Sequence, residues 1–324
     1  MPHRDALLPA HADGRKATWF ELFFDLAFVV AVAQLAGAYA HHYDPAGAAL
    51  FAAAFLAMWW CWLGHTFHGT RFDRDLPRQR LVGFLQIAAV ALLGYGAADP
   101  LGGRAWAFGG ALAAFKLLLA VAYLAERQWR GAAGLIRTYA WLYVVQAALW
   151  GAGSAVDQLR TGCWALALAL DLVSPWLVAR HTAAVPPHPE HLPERFGLFT
   201  IILLGEGMAS VVHALDHGDA LHRSGVAAAA VGALLTFALW LAYFDLVRGH
   251  GERHVATHAA GRRMRLWAYG HVPLYMGIAS LAAGTVALAA PGALTARHAI
   301  MYLGGLMLAG AGLLLLRRAD PGQP

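Results

Sequence analysis

Along the chain, runs of about 20 apolar residues alternate with short clusters of polar and charged ones. A helix rises about 1.5 Å per residue, so about 20 residues cross a hydrocarbon layer of about 30 Å. Read this way, the pattern predicts ten spans, at residues 19–40, 46–68, 81–98, 105–125, 138–156, 162–180, 196–214, 225–247, 267–290 and 298–316. The fifth is the weakest, because Gln146 and Gly151 interrupt it. Backbone groups in lipid must bond within the protein, which makes the expected fold class all-α: a polytopic integral membrane helix bundle. The expected organisation is an N-terminal cytoplasmic segment (1–18), a single transmembrane helical domain (19–317) and a cytoplasmic C-terminal tail (318–324).

The charged residues orient these spans. With the N-terminus inside, 19 of the 24 Lys and Arg fall in cytoplasmic segments, four fall outside and Lys116 alone lies within a span. The outer four are Arg104, Arg160, Arg223 and Arg297. This asymmetry follows the positive-inside rule and puts both termini in the cytoplasm. The formal charge of +5 therefore reads as topology and contact with anionic headgroups, and no nucleic-acid partner is expected. Composition agrees: 59% of residues are hydrophobic and 13% charged, where soluble domains carry about 25% charged. The polar first 17 residues hold no cleavable signal pattern, and a proline-rich linker is expected over about 181–195. Cys61 and Cys163 form no CxxC pair, so neither a disulfide framework nor a metal knuckle is expected.

Two stretches echo each other. Phe20-Glu21-Leu22-Phe23 opens the first span and Phe196-Gly197-Leu198-Phe199 opens the seventh; Trp62-Leu63 and Trp240-Leu241 recur in the second and eighth. An offset of six helices preserves direction, which describes a parallel 4+2+4 repeat of a kind transporters use.

Ionisable groups inside the spans carry the functional reading, since each costs about 2.5–3.5 kcal/mol at the membrane centre without a partner. Glu21 and Asp25 share one face of the first span at i, i+4. Arg195 and Glu206 share a face of the seventh. By depth, Glu21, Asp25, Arg195 and Asp245 form a cytoplasmic layer, and Lys116, Asp171 and Glu206 a midplane layer. These seven are the candidates for an ion or proton pathway or a substrate site, with internal salt bridges that lock helices as the plainer alternative. Cys61, His65 and His68 line one stripe of the second span, yet Cys61 and His68 are about 10 Å apart along the axis, so one ion cannot use all three. The His188-Pro189-Glu190-His191 stretch, preceded by His181 and followed by Glu194, is another conceivable metal-ligand cluster, against the plainer reading of solvated or helix-capping side chains. Gly109, Ala113 and Ala120 on the Lys116 face let another helix approach closely. There is no phosphate-binding Gly-rich loop, HExxH or GxSxG pattern, so no cofactor, metal or catalytic triad is expected.

Glu21-Leu22-Phe23-Phe24-Asp25-Leu26 followed by Phe28-Val29 resembles the opening signature of the bacterial low temperature requirement A family. His191-Leu192-Pro193-Glu194-Arg195-Phe196-Gly197-Leu198-Phe199, continuing to Gly205-Glu206, resembles its second signature. Trp240 with Tyr243-Phe244-Asp245, and Tyr269-Gly270-His271 with Pro273-Leu274-Tyr275, fit its later helices. The resemblance implies a multi-helix membrane protein linked through the family's name to growth in the cold, and it brings no substrate with it. It places Glu21, Asp25, Glu194, Arg195 and Glu206 in the signatures. Phe24-Asp25 is also similar to part of a Phe-Ser-Asp motif of a potassium-channel family, over one helix and without the serine.

The expected function is a secondary transporter or channel for a small ion or solute, open to proton coupling, in the bacterial cytoplasmic membrane. Glu206 would be the midplane protonatable or cation-binding group with Arg195 as counter-charge, and Glu21 and Asp25 the cytoplasmic relay. The lipid bilayer is its standing partner, and a homo-oligomer is compatible with this reading. Two alternatives stand beside it. One is a membrane-embedded enzyme acting on lipid or isoprenoid through His191, Glu194 and Arg195; the other is a sensor or scaffold of membrane state in cold adaptation.

Overall fold

The computed structural model describes residues 16–72, 76–182, 185–216, 223–246, 258–290 and 295–319. Among them the regular structure is wholly helical. The ten long helices are α1 (Trp19–His41), α2 (Pro45–Phe72), α3 (Pro77–Ala97), α4 (Ala105–Ala125), α5 (Ala133–Ala155), α6 (Asp157–Leu177), α7 (His191–Asp216), α8 (Arg223–Leu241), α9 (His258–Ala289) and α10 (Ala296–Arg318). A single turn, Ala179–Thr182, follows α6, and α8 ends in a five-residue π turn, Ala242–Leu246. Most of the expected N-terminal segment and C-terminal tail lies outside the described residues, as do Arg74, Arg248 and Arg253 of the loops expected inside.

Every expected span coincides with one helix, and eight of the ten are long and apolar enough to cross a membrane. The two below that threshold, α5 and α6, carry Gln146 and Asp171, polar groups with partners inside the bundle.

Local chemistry sets the helix starts. Thr18 caps α1: its Oγ1 accepts from the Glu21 backbone N–H, while the Glu21 carboxylate accepts from the Thr18 N–H, a capping box ahead of an apolar run. Pro77 opens α3 at a position where a missing N–H costs nothing. Helix α7 begins at His191, so the linker expected over 181–195 ends at Glu190, and Glu194 and Arg195 sit on a helix. Hydropathy marks only the lipid-crossing part of a helix. Here the polar first turn persists because the His188 ring nitrogen accepts from the Glu190 and His191 N–H groups and the Leu192 N–H bonds the His188 carbonyl. Helix α9 likewise starts well before the expected residue 267.

Helix α2 lies at the centre, packed against α1, α4, α6, α7 and α9. Trp59, Trp60 and Trp62 are buried there, as their depth in the span implies. Trp62 packs on Phe196 and Phe199 of α7, and Trp60 stacks on Tyr269 of α9. Helices α8 and α10 bury only 22% and 28% of their apolar stretches, against 67% for α9. Their outward faces are apolar, with Leu234, Phe237, Ile300 and Met307 exposed, as contact with lipid requires.

Candidate functional site

The first two turns of α1, the C-terminal half of α2 and the first two turns of α7 bring five side chains together. Arg195 binds Asp25 side-on, Nη2 to Oδ1 at 2.6 Å and Nε to Oδ2 at 3.2 Å. Its third nitrogen, Nη1, lies 2.9 Å from Glu21 Oε1, an ion pair poorly aligned for a hydrogen bond. Trp62 Nε1 donates to Asp25 Oδ1 at 2.7 Å, and His191 Nε2 lies 3.1 Å from Glu21 Oε2. Asp25, Trp62, His191 and Arg195 are all fully buried, and Glu21 is 3% exposed. The i, i+4 spacing on α1 aims both carboxylates at one guanidinium, and the i, i+4 spacing of His191 and Arg195 on α7 answers it. With His191 neutral the cluster keeps one net negative charge; a proton on His191 balances it. Of the expected cytoplasmic layer, Glu21, Asp25 and Arg195 thus meet. Asp245 does not join them: it is exposed, on the π turn at the end of α8. Glu194 is half-buried beside the cluster, where its carboxylate accepts from the Ala17 N–H at 2.9 Å and ties the entry of α1 to α7.

A cleft of about 170 Å³ opens against this cluster between α1, α2, α3 and α4. Glu21 forms part of its wall, with His65 and His68 of α2, Gln86 of α3 and Glu126 just past α4. His65 is oriented twice: its ring stacks on Phe24 with centroids 3.6 Å apart, and Nδ1 lies 2.8 Å from Gln86 Oε1. Glu126 is fully buried and held by Arg78 at 3.0 Å, Gln79 at 3.2 Å and Gln128 at 2.9 Å. The Cys61, His65 and His68 stripe therefore divides: Cys61 is fully buried, and the two histidines face the cleft.

Deeper in the bundle, Lys116 of α4 bonds Asp171 of α6, Nζ to Oδ1 at 2.6 Å. Gln146 of α5 donates to the same oxygen at 2.9 Å. All three are buried, and Lys116 also stands over the Tyr143 ring at 5.5 Å. The third member of the expected midplane layer, Glu206, is not with them. It is half-buried on α7 and makes no hydrogen bond or ion pair among the described residues, while Arg195 spends its guanidinium on α1.

Sequence reasoning passed over Trp62, Gln86 and Glu126 as members of these sites. For the double role of Glu21 a signal was present: Thr18-Trp19-Phe20-Glu21 ahead of an apolar run is the capping-box pattern.

The chain is similar to the Uncharacterized protein RA0937 of Rhizobium meliloti (strain 1021), with 28% identity over an alignment covering 98% of this chain and 81% of that protein. No solved structure matches it. Residues 16–323 match the family described as Bacterial low temperature requirement A protein (LtrA). Both stretches that build the buried cluster, around Glu21 to Asp25 and His191 to Arg195, fall within that match, and the chain belongs to the LtrA family.

Proposed function

We propose that this protein is a membrane transport protein, a secondary transporter or channel for a small ion or solute, seated in the bacterial cytoplasmic membrane with both termini inside. One observation carries the reading: the Glu21 carboxylate is at once a wall of the α1–α4 cleft and a member of the buried Glu21–Asp25–Arg195 cluster. Under the proposed orientation the cleft opens to the cytoplasm. The cluster at its base is the gate, a set of charges whose pairing between α1 and α7 holds the path shut. The Lys116–Asp171–Gln146 group is a second polar station further along. Ionisable groups inside a membrane bundle that face a cavity or one another mark such paths. Glu206 and Asp245 remain candidate stations on the α7–α8 side.

The parallel repeat belongs to the same proposal. Helix α1 packs on α3 and α3 on α4; six helices later, α7 packs on α9 and α9 on α10. The halves differ in their second helices, since α2 occupies the centre and α8 the rim. The enzyme alternative is less well supported, because His191 and Arg195 are turned inward and held by α1, away from lipid.

The test is flux in proteoliposomes of protons, K⁺, Na⁺ and the small solutes urea, acetamide and glycerol. At least one is expected to pass faster than in protein-free vesicles. Glu21→Gln, which keeps the side chain's size and its capping bond but removes its charge, is expected to change that rate severalfold. Passage of none of them above the protein-free level would overturn the transport reading.

A further inference from the structure

We infer that the α1–α4 cleft binds a small uncharged polar solute, one that offers a hydrogen-bond donor and an acceptor together, between the Gln86 amide and the His68 imidazole. This rests on the transport reading of the same cleft and narrows it to a substrate class.

The cleft's two buried carboxylates already face cations, Glu21 with Arg195 and Glu126 with Arg78. A cation entering would give up hydration and find both of these carboxylates already engaged, at a cost of several kcal/mol. Two neutral groups on the same wall do lack a partner. Gln86 Nε2 and His68 Nε2 are buried atoms without a hydrogen bond, on side chains 1% and 8% exposed. Gln86 spends its carbonyl oxygen on His65 Nδ1, which leaves the amide N–H groups as donors. On His68, Nε2 has no partner and is an acceptor in the tautomer that carries its proton on Nδ1. Unmet buried polar groups of this kind cost about 1–3 kcal/mol each, and a ligand that satisfies both recovers that cost. The surrounding wall of Phe20, Val82 and Leu119 is apolar, which suits the carbon side of such a molecule. About 170 Å³ admits one solute of a few heavy atoms, or a file of waters at about 15 Å³ each.

The experiment is stopped-flow light scattering on proteoliposomes with urea, acetamide and glycerol as neutral probes, beside K⁺, Na⁺ and proton flux. The expected result is saturable entry of at least one neutral probe. Gln86→Met, close in volume, and His68→Phe, which keeps the ring contacts with Phe72 and Tyr123, should each lower its subsaturating rate by about tenfold, the value of one good hydrogen bond. A monodisperse elution profile checks that each variant is folded, and either folded variant alone carries the test. Neutral-probe rates equal to those of protein-free vesicles overturn the inference, as does entry that both folded variants leave unchanged. A rise in water permeability alone also overturns it and makes the cleft a hydrated vestibule. If K⁺, Na⁺ or protons pass while no neutral probe does, the inference fails and the transport reading stands; if nothing passes, both fail.

Discussion

Arg195 is fully buried between two carboxylates of another helix, so the three side chains stand or fall together. Removing one member of such a buried pair leaves an uncompensated charge and costs about 3–5 kcal/mol, while removing both costs much less. Arg195→Met is therefore expected to lower the thermal unfolding midpoint in detergent sharply, and Asp25→Asn on top of it should restore part of the loss. A double variant that loses the sum of the two single losses would show the pair to be uncoupled. Why Arg195, Asp25 and Glu21 were legible in the sequence follows from the same energetics: a charge in an apolar run must have a partner or a cavity. Their partners were only half legible. Depth along a helix is one coordinate of three, and it grouped Glu21, Asp25 and Arg195 correctly while adding Asp245, which ends up exposed on the rim. It grouped Lys116 with Asp171 and added Glu206, which is half-buried on α7 and bonds neither of them. Neutral members such as Trp62 and Gln86 escaped because a neutral polar side chain costs too little in an apolar run to stand out.

At the scale of elements, close packing sets where helices can lie. A Cβ on Gly109 of α4 would collide with Ser154 of α5 and lie 2.5 Å from the Trp164 ring of α6, whereas one on the adjacent Gly110 would meet nothing within 4 Å. Gly109→Leu should push α4 off both neighbours, strain the Lys116–Asp171 bond and destabilise the fold by at least about 1–3 kcal/mol. Gly110→Leu should stay within about 0.5 kcal/mol of wild type. Thermal midpoints of the two variants, measured side by side, separate packing from helix propensity, because the substitution is the same. The small residues on the Lys116 face already pointed to this contact. Helix existence was legible for all ten long elements because each contains an apolar run bounded by polar residues, although two fall below the hydropathy of a crossing segment. The starts of α7 and α9 were not, since a helix continues past the hydrocarbon wherever its polar residues find partners in the protein, as His191 and Arg195 do.

For the whole molecule the open choice is between ten crossings and eight, because α5 and α6 fall below the hydropathy of the rest. Parity does not separate these, since dropping two adjacent helices leaves both termini on the same side. The Lys116–Asp171–Gln146 group does. Lys116 lies near the middle of α4, Gln146 near the middle of α5, and Asp171 in the second half of α6. Bonds of 2.6 and 2.9 Å between them hold α5 and α6 alongside α4 over the same depth. Since α4 is apolar enough to cross, its two neighbours are expected to cross beside it, with their polar groups turned inward and bonded to one another. The α5–α6 turn then lies outside and the α4–α5 connection inside. In a background of Cys61→Ala and Cys163→Ala, a cysteine at Asp157, whose side chain is 77% exposed, should react with a membrane-impermeant maleimide in intact cells. A cysteine at Gly131, exposed with open space around its Cβ position, should react only after permeabilisation. Labelling of both from the inside would mean that α5 and α6 do not cross, and Arg160 would have to move from the outer set of basic residues to the inner one.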